Sequence, residues 1–230
     1  MRCLLCRYLR WSISRDDPGW VEKADELETE FLFYGLNNGD LFNADADVTR
    51  LRQAFEMWRS NPVEAFTGFL VLAEGGSVWS MIQVGVAYES GRGVPLDRIR
   101  AEEWYRKAYE QGSDLGLVRA GYLTFKRGDI AEAKTILSVG VSRGLTPAMR
   151  YLAWMELRLS KKEDARGRAR ALYEQAIASG DLAARMLFAR SMVRGRFGLR
   201  AIPAGIRSLL AAGKEVVAQV NARQNSRLSG

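Results

Sequence analysis

A cysteine pair, three carboxylate doublets and one glycine-flanked arginine are the residues of this chain whose types and spacing could do chemistry. Cys3-Leu4-Leu5-Cys6 is half of a zinc site or the kernel of a redox motif. The chain has no third cysteine and no histidine to complete a tetrahedral ligand set, and a dithiol motif needs a strand before it and a helix after it. The lack of histidine also excludes His-dependent nucleophilic triads, His-ligated haem and an imidazole general base. Asp16/Asp17, Glu102/Glu103 and Glu163/Asp164 are adjacent in sequence. On a helix, adjacent side chains diverge by about 100°, so these doublets read as solvated faces and not as paired acid and base. Gly91-Arg92-Gly93 lacks the preceding strand and the GxxxxGK[ST] spacing of a phosphate loop. Serines and aspartates occur, but no general base stands beside them. No catalytic residue, metal site or cofactor site follows, and the expectation is a protein that is not an enzyme.

What remains is arginine. The 230 residues carry a net charge of +7, with 27 arginines against 7 lysines. Residues 1–90 hold 8 basic and 14 acidic side chains, and residues 91–230 hold 26 and 13. A basic half of this kind suits an acidic protein partner, nucleic acid or anionic lipid. Apolar residues at 47% and charged residues at 27% are a globular balance with enough chain for a sizeable core. No run of about 18 apolar residues occurs, so no membrane span is expected. The apolar stretch Cys3–Cys6 is too short for a secretory leader, which needs about 7–15 such residues. Two cysteines make no disulfide framework, which fits a reducing compartment, and the cytoplasm is expected. Abundant arginine, alanine and glycine point to a GC-rich bacterial genome.

The elements that must position these side chains come from an internal repeat. Gly76, Gly112, Gly144, Gly180 and Gly213 recur at intervals of 36, 32, 36 and 33. Four residues after each of the first four stand Ser80, Gly116, Ala148 and Ala184, and nine after stand Gly85, Gly121, Ala153 and Ala189, all small. Eight and seven before the next glycine stand Trp104-Tyr105, Ile136-Leu137 and Leu172-Tyr173. Spacings of three, four and seven lie on one helical stripe, so each unit reads as two helices: a small-residue face followed by an apolar seam. First helices are predicted near 78–90, 114–127, 146–159 and 182–194, and second helices near 97–111, 129–143, 163–179 and 202–212. An earlier pair is predicted at 47–60 and 62–74, with Pro62 at a helix start. One pair cannot bury its own seam, whereas stacked pairs share a continuous core. The expected fold is an all-α, right-handed α-solenoid of about five antiparallel helix pairs over residues 46–213. Residues 1–45 precede it, with a capping helix at Val21–Leu36 and a cap from Trp11 and Trp20. Residues 214–230 form a helix end and tail that frays from about Asn221.

The unit from Gly76 to Gly112 carries a recognisable motif. Gly85, Tyr88, Gly91, Gly93, Val94, Asp97, Ala101, Trp104, Tyr105, Lys107, Ala108, Gln111 and Gly112 together resemble the Sel-one-like repeat, a relative of the tetratricopeptide repeat. Gly91-x-Gly93-Val94 forms the turn between helices and Asp97 caps the second. The later units keep the size and spacing but lose the turn motif. The resemblance spans about 76–213 and implies a protein-interaction scaffold or adaptor, of the kind found in bacterial signalling, envelope and polysaccharide pathways. It further implies a concave groove lined by first helices.

Carried over by spacing, the groove positions form three columns: Val86, Tyr122, Trp154, Arg190; Ser90, Lys126, Arg158, Arg194; and Ile82, Val118, Arg150, Met186. They change from apolar to arginine-rich along the chain. Arginine forks pair with carboxylates and phosphates, and Tyr or Trp beside them adds flat apolar contact. Tyr122, Lys126, Arg150, Trp154, Arg158, Arg190 and Arg194 are therefore the candidate partner-binding residues, for an acidic or C-terminal peptide segment of another protein. The alternative for the same residues is that Tyr122 and Trp154 are core and the arginines solvate a helix face. A second function would be RNA or DNA binding through Arg185, Arg190, Arg194, Arg196, Arg200 and Arg207 with Lys161, Lys162, Arg166, Arg168 and Arg170. Glu163 and Asp164 interrupt the latter cluster, and no nucleic-acid module is recognisable.

Overall fold

A computed structural model describes residues 41, 42 and 45–228, so the readings made for residues 1–40, the cysteine pair and the Val21–Leu36 helix included, lie outside the described residues. Among the described residues every regular element is a helix. They form two compact units, one ending at Ala148 and the other beginning at Met149. The first holds α1 (Val48–Ser60), α2 (Pro62–Glu74), α3 (Val78–Ser90), α4 (Arg98–Glu110), α5 (Asp114–Arg127), α6 (Ile130–Ser142) and the first turn of α7 (Thr146–Leu159). From α1 to α6 each helix packs on the next. The second holds the rest of α7, α8 (Glu163–Ala178), α9 (Leu182–Val193), a 3-10 turn at Leu199–Ala201 and α10 (Ile202–Leu228). There α9 packs on both α8 and α10.

The beat glycines end helices as expected, and for one physical reason. Gly76, Gly112, Gly144 and Gly180 all have φ between 78° and 98°, a left-handed conformation that a β-carbon disfavours. Each is followed by a residue whose backbone N–H reaches back five residues: Ser77 to Leu72 O, Ser113 to Ala108 O, Leu145 to Gly140 O and Asp181 to Ala176 O, at 2.9–3.1 Å. This is the Schellman closure. In three of the four, that same residue then caps the next helix: Ser77, Ser113 and Asp181 accept from the N–H of Ser80, Gly116 and Ala184. One helix is closed and the next opened within two residues, which keeps neighbouring helices tightly coupled.

The fifth glycine behaves otherwise. Gly213 is buried and sits inside α10, which runs on to Leu228 instead of stopping near 212. No capping residue follows it, because Lys214-Glu215-Val216-Val217-Ala218 continues the helix. Gly213 keeps the period of the repeat, but with helix-forming residues behind it the helix runs on.

Within the first unit the small positions meet the apolar seam. A β-carbon on Gly85 would lie 2.6 Å from the Tyr105 ring, and one on Gly121 would lie 2.8 Å from Leu137 Cγ. These are the residue nine after one beat glycine and the residue seven before the next, so both columns read from sequence are two sides of one contact. Tyr105 and Leu137 are completely buried, as are Phe69, Val84 and Leu117. At the start of the unit Trp58 packs edge-on against Phe69 and Phe55 against Trp79, with centroids 5.3 and 5.7 Å apart. In the second unit Tyr173 stacks on Phe188 at 5.4 Å, and Phe197 meets Phe188 edge-on at 5.1 Å.

Candidate interaction face

Because α5, α7 and α9 each begin two residues after a beat glycine, residues 10 and 14 positions beyond that glycine recur on one side of each helix, one turn apart. In the first unit these are Tyr122 and Lys126 on α5. Tyr122 is buried, Lys126 is exposed, and the ammonium lies 5.6 Å from the phenol ring centroid. In the second unit they are Trp154 and Arg158 on α7, with the guanidinium again 5.6 Å from the ring, Trp154 half-buried and Arg158 exposed. On α9 they are Arg190, buried, and Arg194, half-buried at the helix C-cap. Val86 and Ser90 on α3 are the apolar and neutral members, and Ser90 Oγ donates to Val86 O at 2.7 Å. A flat ring with a cation over it, presented once on α5 and once on α7, holds the cation by its quadrupole and keeps it aimed outward.

Arg150 stands apart from this set. Its Nε lies 3.1 Å from Asp181 Oδ2, with both side chains 5% exposed or less. Its guanidinium thus forms a buried ion pair instead of facing solvent. Arg190 and Arg196 share its surroundings, and Arg196 Nη1 donates to Leu157 O at 3.0 Å. The Tyr173 hydroxyl lies among these groups. Burial pushes its pKa well above the ordinary 10.0, against the opposing pull of Ser191 and of Arg150, Arg190 and Arg196.

A second charged cluster was not foreseen from the sequence. Glu102 was expected on a solvated face with Glu103, and that reading is corrected: Glu103 is exposed, but Glu102 is only 6% exposed. Its carboxylate accepts from Arg106 Nη2 at 2.8 Å, from the Thr124 hydroxyl at 2.9 Å and from Arg127 Nε at 3.2 Å. Glu132 on α6 takes the other side of both arginines, at 2.9 and 3.0 Å. The cluster therefore staples α4, α5 and α6. The only sequence signals were the i,i+4 spacing of Glu102 and Arg106 and a threonine in the otherwise apolar middle of α5. Nearby, Tyr105 donates to Glu89 Oε2 at 2.8 Å, and buried Arg119 lies 3.7 Å from the same oxygen.

Burial by itself would raise the Glu102 pKa, but the hydrogen bonds from Arg106, Thr124 and Arg127 outweigh it and hold the carboxyl below its ordinary 4.5. A group with a lowered folded pKa contributes stability that is complete above its unfolded value and is lost as pH falls through the folded one. Urea midpoints are therefore expected to decline below about pH 4.5, and Glu102→Gln to flatten that decline while costing about 2 kcal/mol at pH 7. Wild type and variant with parallel acid limbs would show that this carboxylate does not govern them.

Among the described residues no cluster of His, Cys, Asp and Glu could hold a metal ion, and no helix is long and apolar enough to cross a membrane.

Comparison with known proteins places the repeat. Residues 80–113 and 146–181 match the model of the Sel1 repeat. The first is the unit carrying the GxGV turn, and the second is one of the units that lack it. The crystal structure of a Sel1 repeat protein from Oxalobacter formigenes is similar over 84% of both chains, with 20% identity and a TM-score of 0.58. The structure of c5321, a protective antigen present in uropathogenic Escherichia coli strains and displaying an SLR fold, is similar over 92% of this chain with 18% identity and a TM-score of 0.55. This chain spans about half of that protein, 49% of its length. No curated protein matches the sequence. The fold is that of Sel1-like repeats, helix pairs of the tetratricopeptide-like superfamily, which generally serve as protein–protein interaction scaffolds.

Proposed function

We propose that this chain is a non-enzymatic scaffold whose first helices offer ring-and-cation pairs to an acidic segment of a partner protein. The observation that carries the reading is the recurrence of a ring with a cation over it at the same two repeat positions, Tyr122/Lys126 on α5 and Trp154/Arg158 on α7. Arg194 continues the second position on α9. Cations steadied by rings select carboxylates, and each ring adds flat apolar area beside its own cation. Nucleic acid is the weaker reading, because several of the arginines it would use are paired with carboxylates. Arg166, Arg168 and Arg185 lie 2.6–3.0 Å from Glu163, Glu156 and Glu215.

The test is affinity capture from a bacterial lysate, comparing the full chain with an Arg158→Glu/Arg194→Glu variant, each with and without nuclease. Both substitutions are at sites that are not fully buried, so circular dichroism should confirm an unchanged fold. A partner protein recovered at least tenfold better by the wild type is expected. Equal recovery by both forms sinks the arginine face, and a signal that disappears with nuclease transfers the function to nucleic acid.

A further inference from the structure

We infer that the outward face of α10 is a further interaction surface, which seats an amphipathic helix of a partner protein whose apolar seam is flanked by carboxylates. It uses none of the residues of the ring-and-cation pairs and stands or falls without them.

The face follows from how α10 packs. A β-carbon on Gly205 would lie 2.7 Å from Met192 Cβ and 2.8 Å from Ala189 O, so this side of the helix is pressed on α9. Leu209 and Ala212, one and two turns further along the same side, are buried. Ile206 stands seven residues before Gly213, the repeat position whose earlier members Tyr105, Leu137 and Tyr173 are completely buried. Here Gly205 makes the close approach instead, and Ile206 is turned aside. Leu199 in the 3-10 turn and Ile206 and Leu210 on α10 are 79%, 47% and 42% exposed. Their spacings of seven and four fall on one helical stripe.

A basic row runs beside the stripe. Arg200 and Arg207 directly follow Leu199 and Ile206, and Lys214 continues the interval of seven. All three are exposed, and none is paired with a carboxylate among the described residues. Glu215, next in sequence to Lys214, is committed to Arg185 on α9 at 2.6 Å. The row is therefore a line of unneutralised charge along one edge of an uncovered apolar strip.

Stripe and row together select the occupant. Apolar residues at this spacing with charges every seven residues beside them are the seam and one flank of a two-stranded coiled coil. A second copy of α10 does not fit. Paired antiparallel, the basic row would face itself, and paired in parallel it would face the row of Leu209, which α9 covers. A membrane surface takes a helix with a broad apolar face, whereas this strip is narrow. A helix carrying apolar residues on its seam and Glu or Asp on its flank meets both demands. It covers Ile206 and Leu210, and it neutralises Arg200, Arg207 and Lys214.

The experiment titrates full-length protein into a labelled synthetic peptide of three heptads, with Ile and Leu on its seam and Glu on both flanks, read by fluorescence anisotropy. The same peptide with Lys on both flanks is the control. The Glu peptide is expected to bind about tenfold more tightly than the Lys peptide. Arg200→Glu/Arg207→Glu/Lys214→Glu should reverse that preference, and Ile206→Asn/Leu210→Asn should remove the binding of both. All five residues are exposed, so circular dichroism should stay unchanged. Arg158→Glu/Arg194→Glu should bind the Glu peptide as the wild type does, which keeps this surface distinct from the one proposed above. No binding, equal binding of the two peptides, a preference that survives charge reversal, or loss of binding in Arg158→Glu/Arg194→Glu overturns the inference. So does a dimer in analytical ultracentrifugation that Ile206→Asn/Leu210→Asn dissolves, which gives the face to a second copy. Binding to phosphatidylserine vesicles without binding to the Glu peptide gives it to lipid and overturns it equally.

Discussion

Replacing Asp181 with alanine is expected to lower the unfolding free energy by about 3–5 kcal/mol, the range for removing one partner of a buried ion pair. Asp181 is 2% exposed and serves two helices at once. Oδ1 accepts the Ala184 N–H at 2.8 Å and caps α9, while Oδ2 lies 3.1 Å from Arg150 Nε on α7. Alanine removes the cap, worth about 1 kcal/mol, and withdraws the carboxylate from a guanidinium that is 4% exposed. The second loss dominates, because a charge stripped of its counter-ion in a low dielectric has no water to replace it. Asp181→Asn separates the two, since the amide oxygen still caps but carries no charge. Urea denaturation followed by circular dichroism should therefore rank the wild type above Asn, and Asn above Ala. Arg150→Met combined with Asp181→Ala should recover much of the loss, since an apolar pair of similar volume often replaces a buried ion pair at little cost. An alanine variant with the wild-type midpoint would show that the pair contributes nothing to the unit.

Two glycine-to-alanine substitutions should shift stability in opposite directions. At Gly116 on α5 a β-carbon would lie 2.7 Å from Tyr105 O and from Tyr109 N, and 3.0 Å from Ala108 Cβ. The first two are backbone atoms inside α4, which cannot rotate aside as a side chain can. Forcing α4 and α5 apart should cost about 3 kcal/mol, against which the gain in helix propensity returns only about 1 kcal/mol. Gly116→Ala is thus expected to destabilise by about 2 kcal/mol, and Gly116→Val to abolish cooperative folding of the first unit. At Gly167, exposed in α8, a β-carbon would meet nothing within 4 Å. Gly167→Ala should stabilise by about 0.5–1 kcal/mol through propensity alone. Thermal melts of the pair against the wild type check both, and a shift of the same sign at the two sites would refute the close-approach account.

The contrast between those two glycines shows how far the sequence could be read. Gly116 stood out because a small residue recurs at its offset in every repeat, and Gly167 did not because it belongs to no column. The same logic placed the described long helices, since the pairs are built from local signals: a period near 3.6, a glycine able to adopt positive φ and, for most helices, a capping side chain. It failed at Gly213, where the period continued but the residues behind the glycine carry the helix on.

The charged residues were less legible. Glu102 and Glu103 look alike in sequence, yet one accepts from three partners in a buried cluster and the other is exposed. Arg150 and Arg158 occupy sister columns, yet one is locked to Asp181 and the other lies over Trp154 in solvent. Spacing along a helix states which side a residue is on. It does not state what stands opposite on the next helix, and for a charge that neighbour decides everything.

The sequence by itself therefore determined the repeat, the small-residue and apolar columns, and the limits of the described helices other than the last, which it ended near 212. Those depend on period, capping and size, all of which are properties of short stretches of chain. Only the tertiary structure decided which charges are buried and paired, because a Coulomb interaction depends on distances between residues far apart in sequence and on how much water is left between them.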